Sequence, residues 1–160
     1  LDKLDAMGDI KILDVGCGTN EFKKHLGDRV FGIDPYNSAA DAQVDIMDFK
    51  KNIGKWDVVL ALGSVNFGDP RTIQQQVARV VSMVKPGGTI YWRCNPGITH
   101  SNTGAQWIDF YPWSEDKLRE FADVLKCTVV EMAWDHADDA EPRWGNRIYS
   151  EWRKAGLRTR

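Results

Sequence analysis

Long apolar runs are missing from this sequence. Nowhere do apolar residues continue for the roughly 20 positions that a bilayer-spanning helix needs, and the segment from Leu1 to Ile10 has neither the basic nor the apolar stretch of a secretory leader. No membrane association is expected, and a cytoplasmic location is. Cysteine is scarce as well. Cys17, Cys94 and Cys127 are three widely spaced residues, which suits reduced thiols better than a disulfide framework and matches no zinc-ligand spacing, so no metal is expected. Nor is there an excess of charge of one sign. With 21 Lys plus Arg against 23 Asp plus Glu, the net charge is -2, and no domain-wide positive field exists to gather phosphate backbones. A nucleic-acid partner is therefore not favoured. Repeats and low-complexity segments are also absent. What remains, 42% hydrophobic and 28% charged residues over 160 positions, is the composition and length of one globular core, so residues 1–160 are expected to form a single domain.

The chain alternates between strand-like and helix-like segments. Lys11 to Val15 opens with an apolar run, Gly16 to Asn20 supplies a turn, and Glu21 to Leu26 can hold a short helix. Val30, Phe31 and Ile33 form a second run that ends at Asp34-Pro35, where proline extends the residue before it. A weak third run, Gln43 to Met47, follows too soon for more than a single helical turn between them. Asp57 to Leu62 is continuously apolar and β-rich, the pattern of a central strand buried on both faces. Asp69-Pro70 is an N-cap and N1 pair, after which Ile73, Val77, Val80, Val81 and Val84 recur at helical spacing up to the Pro86-Gly87-Gly88 stop. Thr89 to Cys94 is the next strand. Ser114 caps a helix carrying Leu118, Phe121, Ala122 and Leu125, and Thr128 to Trp134 is a strand with which Arg147 to Trp152 can pair. The acidic stretch Asp135 to Glu141 and the basic end Arg153 to Arg160 read as a solvated connector and tail. The expected class is α/β: a three-layer sandwich with a mostly parallel sheet and a C-terminal antiparallel hairpin.

In open sheets of this kind ligands bind at the carboxyl ends of the strands. Gly16-Cys17-Gly18 lies at the first such end, where two glycines let the backbone turn sharply and approach a ligand without an intervening Cβ. Asp34 stands 16 residues after Gly18 at the end of the second run, placed to accept hydrogen bonds from two ribose hydroxyls. The alternative is a turn aspartate before Pro35. Asp45, at the end of the third run, is a further carboxylate that could meet an adenine edge and complete an adenosine-shaped site.

Together these segments resemble the class I, Rossmann-like S-adenosylmethionine-dependent methyltransferases. Ile12-Leu13-Asp14-Val15-Gly16-Cys17-Gly18-Thr19-Asn20 is similar to their first motif and Ile33-Asp34-Pro35 to their second. Val44-Asp45-Ile46-Met47-Asp48-Phe49 resembles the third, Trp56-Asp57-Val58-Val59 the fourth, and Val84-Lys85-Pro86-Gly87-Gly88-Thr89 the stop before the fifth strand. Phe110-Tyr111-Pro112-Trp113-Ser114 resembles the approach to the late helix. The resemblance implies S-adenosylmethionine as cofactor. It would place Asp14 and the backbone of Gly16, Cys17 and Gly18 at the methionine end, Asp34 at the ribose, Asp45 at the adenine amino group and Ile46 on a face of the ring. The backbone from Ala61 to Gly63 would face the sulfonium.

Three departures stand out. Asn20 replaces the expected third glycine, although asparagine tolerates the left-handed region. The segment between the second and third runs is too short for a full helix. Only about ten residues precede the first strand, so N-terminal lid helices are expected to be missing, leaving a pocket that is open or closed by a protein partner or by self-association. A nicotinamide dinucleotide site would want its third glycine at residue 21, which is Glu21; a carboxylate at that helix start would repel a pyrophosphate.

Methyl transfer from a cationic sulfur is an in-line displacement, so positioning supplies much of the catalysis and a base is needed only where the acceptor must lose a proton. After the Asp57 to Leu62 strand the chain reads Gly63-Ser64-Val65-Asn66-Phe67, without the Asn-Pro-Pro-aromatic motif of amino-methylating DNA enzymes. The polar, aromatic segment Asn95 to Trp113 holds His100, Asp109 and Tyr111, the candidate catalytic residues; a surface histidine and ordinary capping and packing are their alternatives. Of seven tryptophans, five (Trp107, Trp113, Trp134, Trp144 and Trp152) follow residue 100. They would form either an aromatic wall for an acceptor or plain core. The expected acceptor is a small molecule. The competing function is a non-catalytic cofactor-binding module or the partner subunit of another methyltransferase.

Overall fold

The computed structural model describes residues 1–96, 111–135 and 147–157. Its strands are β1 (Ile12–Val15), β2 (Val30–Ile33), β3 (Trp56–Leu62), β4 (Val84–Cys94), β5 (Cys127–Asp135) and β6 (Arg147–Lys154). Its helices are α1 (Asp2–Ala6), α2 (Glu21–Leu26), α3 (Pro70–Met83) and α4 (Glu115–Val124). The strands make one sheet in the order β2-β1-β3-β4-β6-β5. The first four are parallel, and β6 enters antiparallel between β4 and β5. The expected α/β architecture is what the chain adopts. No helix among the described residues is long and apolar enough to cross a membrane.

Alternation along β3 explains the three layers. Val58 and Leu60 pack with Leu4 of α1 and Leu26 of α2 on one face, whereas Val59 and Ala61 pack with Ile73, Val77 and Val80 of α3 on the other. A strand apolar at every position is thus buried on both sides. At the start of α3 the Asp69 carboxylate accepts the Thr72 N–H at 2.7 Å. Ile73, Val77 and Val80 are fully buried, each contributing about 1.5–3 kcal/mol. Ser114 caps α4 by accepting the Lys117 N–H at 3.1 Å.

Several expectations need correction. The run Gln43 to Met47 forms no strand: Ala42 alone makes a parallel bridge to Ile33. Two local causes act together. Asp41 closes the outer edge of β2 by accepting the Gly32 N–H at 2.8 Å, and Asp45 turns the chain by accepting the Met47 N–H on its own carboxylate at 2.8 Å. The helix stops before Pro86-Gly87-Gly88, at Met83, and the strand expected from Thr89 begins at Val84, so those three residues lie within β4. The basic end is not wholly a tail. Arg153 and Lys154 lie in β6, and the Lys154 ammonium donates to the carbonyls of Val81 and Val84 at 3.0 and 2.8 Å. Trp113 and Trp152 are core residues, 1% and 0% exposed, with the Trp152 ring 4.9 Å from that of Trp92. Trp107, Trp144 and most of the acidic connector lie outside the described residues.

Candidate functional site

The glycine loop is built by backbone bonds to the end of β2. The N–H groups of Gly16 and Cys17 both donate to the Ile33 carbonyl, at 2.8 and 2.9 Å. The chain then enters α2 through Asn20, whose φ of 64° and ψ of 42° place it in the left-handed region, as expected for the residue in the third glycine's place. Its side-chain amide donates to the Ala39 carbonyl and to Asp41, both at 3.2 Å, so asparagine also fastens the segment following β2. A glycine would supply the backbone angle without these bonds.

Gly16 and Gly18 have different reasons to lack a side chain. Both have positive φ, 71° and 56°. A Cβ on Gly16 would sit 2.4 Å from the Ser64 Cβ, whereas one on Gly18 would meet no protein atom within 4 Å. Gly16 therefore lets the loop touch the segment after β3, and Gly18 presents open backbone to the cavity. Between them, the Gly18 N–H donates to Asp34 Oδ2 at 3.1 Å. Asp34 Oδ1 accepts the N–H groups of Tyr36 and Asn37 at 2.9 and 3.0 Å. Of the roughly four acceptor positions of a carboxylate, three are already engaged, leaving room for about one ribose hydroxyl rather than two.

Asp14 is 4% exposed, and its carboxylate receives no hydrogen bond from the described residues. Burial, assisted by the neighbouring charge of Asp34, pushes its pKa up to about 6. Burial and the carboxylates of Asp14, Asp34 and Asp41 likewise push the Cys17 thiol up to about 11, so Cys17 is no thiolate nucleophile at neutral pH. The Ser64 hydroxyl beside Gly16 is buried without a hydrogen-bond partner among the described residues, an unmet polar atom of the kind that a bound ligand satisfies.

A cavity of about 710 Å³ opens from this loop across the α1 side of the sheet. Asp14, Gly16, Cys17 and Gly18 line it, as do Tyr91 and Arg93 of β4 and Tyr149 and Glu151 of β6. Lys3 of α1 reaches over the strands to pair with Glu151 at 2.5 Å.

The other expected residues lie elsewhere. Asp34 joins the site through Gly18, outside the cavity lining. Asp45 is engaged in its own turn, and Ile46 and Ala61, 5% and 1% exposed, belong to the core on the α3 side. Gly63 lies at the carboxyl end of β3, where a Cβ would stand 3.0 Å from the Arg93 guanidinium. Tyr111 is 6% exposed, with its ring edge-on to Trp113 at 5.0 Å, and it does not reach the cavity. His100 and Asp109 lie outside the described residues.

Sequence reasoning missed the polar floor formed by Tyr91, Arg93, Tyr149 and Glu151. The signal was present as period-two alternation, Tyr91-Trp92-Arg93-Cys94 and Ile148-Tyr149-Ser150-Glu151, in segments read only as strands of the sheet. It also missed Asn66, which is fully buried. Its amide donates to the Arg93 carbonyl at 3.3 Å and its oxygen accepts the Asn95 N–H at 2.9 Å, holding the segments after β3 and β4 together.

No protein-family profile matches the chain, and no curated protein matches it in sequence. Solved structures do match. The Burkholderia thailandensis 1,6-didemethyltoxoflavin-N1-methyltransferase, with bound 1,6-didemethyltoxoflavin and S-adenosylhomocysteine, superposes with a TM-score of 0.73 at 15% identity, covering 95% of this chain and 74% of that one. Magnesium protoporphyrin IX methyltransferase from Synechocystis, with bound S-adenosylhomocysteine, gives 0.74 at 14% identity over 96% of this chain and 79% of that one. A chain from the Haloferax volcanii complex containing the Trm112 methyltransferase activator gives 0.74 at 17% identity over 95% and 84%. With its parallel strands, its antiparallel β6 insertion and a glycine loop at the end of β1, the chain has the fold of the class I S-adenosylmethionine-dependent methyltransferases.

Proposed function

We propose that residues 1–160 act as one S-adenosylmethionine-dependent methyltransferase domain that delivers a methyl group to a small-molecule acceptor. The observation that carries this reading is the joint built by Gly16, Gly18 and Asp34: open backbone at a first strand end, tied to a carboxylate at the second. The residues present fit the cofactor. Gly18 offers space where a Cβ would intrude, Ser64 has an unmet hydroxyl, and Asp14 is a buried acid suited to an ammonium group.

S-adenosylmethionine, when bound, supplies a methyl group already activated on a cationic sulfur. The chain's contribution is then to bind and orient. Asp14 and the loop backbone would hold the methionine end, and Asp34 would hold the ribose while keeping Gly18 in place. The Asn66 bonds fix the ends of β3 and β4, between which an acceptor must be aligned to within a fraction of an ångström. Asp45 and Ile46 are proposed for the adenine end, and the backbone of Ala61 and Gly63 for the sulfonium end. His100 and Asp109 stay candidates for handling a proton, while the buried Tyr111 packs against Trp113.

A protein partner over the open side of the cavity is part of the proposal, supported by the similarity to the Haloferax volcanii chain found with an activator. Calorimetric titration with S-adenosylhomocysteine tests the cofactor, with one-to-one binding expected. Clear binding of NAD and none of S-adenosylhomocysteine would overturn it. Incubation with methyl-labelled cofactor and acceptor pools tests transfer; binding with no transfer to any pool identifies a binding module instead.

A further inference from the structure

The cavity extends beyond the glycine loop over the α1 side of β4 and β6, where side chains alternate across the pleat. Arg93 is directly opposite Tyr149, and Tyr91 is opposite Glu151. Opposed residues of an antiparallel pair stand about 5 Å apart at Cβ, so these four make a compact polar floor. Glu151 is engaged by Lys3. Arg93 is half-buried, and its guanidinium makes no hydrogen bond or ion pair with the described residues. Beside it the buried Tyr91 hydroxyl lies next to the Lys3–Glu151 pair, both members of which act on it. A strong donor group facing a cavity without a partner among the described residues marks a place where a ligand supplies the acceptors.

Building on the methyltransferase reading, we infer that Arg93 is the anchor of the acceptor subsite and that the acceptor is a planar, carboxylate-bearing small molecule. The guanidinium is a rigid planar fork that matches a carboxylate through two parallel bonds. The alternative anion, a phosphate group, carries more charge. It would face Glu131 and Glu151 in the same lining, with Arg93 as the one side-chain cation among the described lining residues not already paired, since Lys3 is taken. A single carboxylate balances a single guanidinium. The ring of Tyr149, directly across from Arg93, gives a flat acceptor apolar contact beside that charge. Position adds to chemistry. The guanidinium lies against Gly63, at the strand end proposed for the sulfonium, so an acceptor gripped there is held beside the group it must meet.

The test uses the full chain saturated with S-adenosylhomocysteine and titrated with benzoate and with benzamide, probes of like shape that differ in charge. Wild type is expected to prefer benzoate by about tenfold or more, and Arg93→Gln to lower benzoate affinity by about ten- to a hundredfold, down to that of benzamide. Arg93→Lys, which keeps the charge and loses the fork, should fall between. Affinity for S-adenosylhomocysteine should stay within about twofold in Arg93→Gln, because the cofactor makes no use of this residue. Equal binding of the two probes by wild type overturns the inference whatever the variants do. Loss of S-adenosylhomocysteine binding in Arg93→Gln, with 5′-methylthioadenosine binding unchanged, also overturns it by assigning Arg93 to the cofactor's own carboxylate. Failure of wild type to bind S-adenosylhomocysteine removes the cofactor reading and this inference together, whereas cofactor binding without a benzoate preference removes this inference alone.

Discussion

The Gly18 amide and the Asp34 carboxylate are joined at 3.1 Å, so the loop after β1 and the end of β2 form one unit before any ligand arrives. Asp34 is consequently both a turn residue and a ribose candidate. Its Oδ1 organises the turn through Tyr36 and Asn37, and its Oδ2 sets the Gly18 backbone.

Removing that carboxylate should act twice. Bonds to a charged group are worth about 1.5–3 kcal/mol, so Asp34→Ala is expected to weaken S-adenosylhomocysteine binding by roughly ten- to a hundredfold. Asp34→Asn should lose less, because one oxygen remains for Tyr36 and Asn37. A 2′-deoxyribose analogue separates the two roles. It should lose affinity against wild type and much less against Asp34→Ala; equal losses in both would mean that Asp34 only shapes the loop.

The two glycines of the loop should part company on substitution. Gly18→Val meets no protein atom with its Cβ and carries only the backbone strain of its positive φ, about 1–3 kcal/mol, while the side chain it projects into the cavity blocks the cofactor. Gly16→Val forces its Cβ into Ser64 at 2.4 Å, and strained backbone and overpacking together cost on the order of 2–4 kcal/mol. Thermal melts should therefore show the larger drop in midpoint for Gly16→Val, while calorimetry shows binding abolished in both. A Gly16→Val protein as stable as wild type would show that the loop moves freely away from Ser64.

The architecture was legible because its signals were local and periodic. Continuous apolarity in Asp57 to Leu62 meant a strand covered on both sides, and Asp69-Pro70 and Ser114 marked helix starts by their capping chemistry. The failed third strand was decided by something periodicity does not contain: the polar Asp41, just before the run, takes the Gly32 N–H and seals the edge to which that strand would have added. The site was half legible for a similar reason. Asp14, Gly16, Gly18 and Asp34 cluster at two consecutive strand ends, so a motif can reveal them. The Arg93–Tyr149 floor comes from segments more than fifty residues apart in sequence, and only the antiparallel insertion of β6 beside β4 brings it together.

Asn20 offers a test of what replaces a third glycine. In Asn20→Gly the left-handed angle is retained and the bonds to Ala39 and Asp41 are lost, whereas Asn20→Ala loses the bonds and adds backbone strain. The expected stability order is wild type, then Gly, then Ala, with the last step about 1 kcal/mol. Chemical denaturation measures it, and an alanine variant equal to the glycine variant would show that the backbone angle carries no cost here.

Asp14 gives the site a pH dependence of definite sign. Its pKa rises from 3.8 to about 6 on folding, so between these values the folded chain holds a proton that the unfolded chain releases. The stability this confers is complete below about pH 4 and is lost as pH rises through about 6. At about 1.4 kcal/mol per unit the loss is on the order of 3 kcal/mol. Asp14→Asn, which keeps the shape and cannot ionise, should escape it. The variant is expected to melt several degrees above wild type at about pH 8, the difference shrinking toward zero near pH 4. Cofactor binding should move the opposite way. An ammonium group at the methionine end favours the ionised acid, so wild type should bind S-adenosylhomocysteine more tightly as pH rises through about 6, releasing a proton, while Asp14→Asn binds weakly at every pH. Titration calorimetry in buffers of different ionisation enthalpy counts that proton. A variant less stable than wild type at about pH 8, or binding without proton release near pH 6, would remove the buried, ionisable Asp14 from this account.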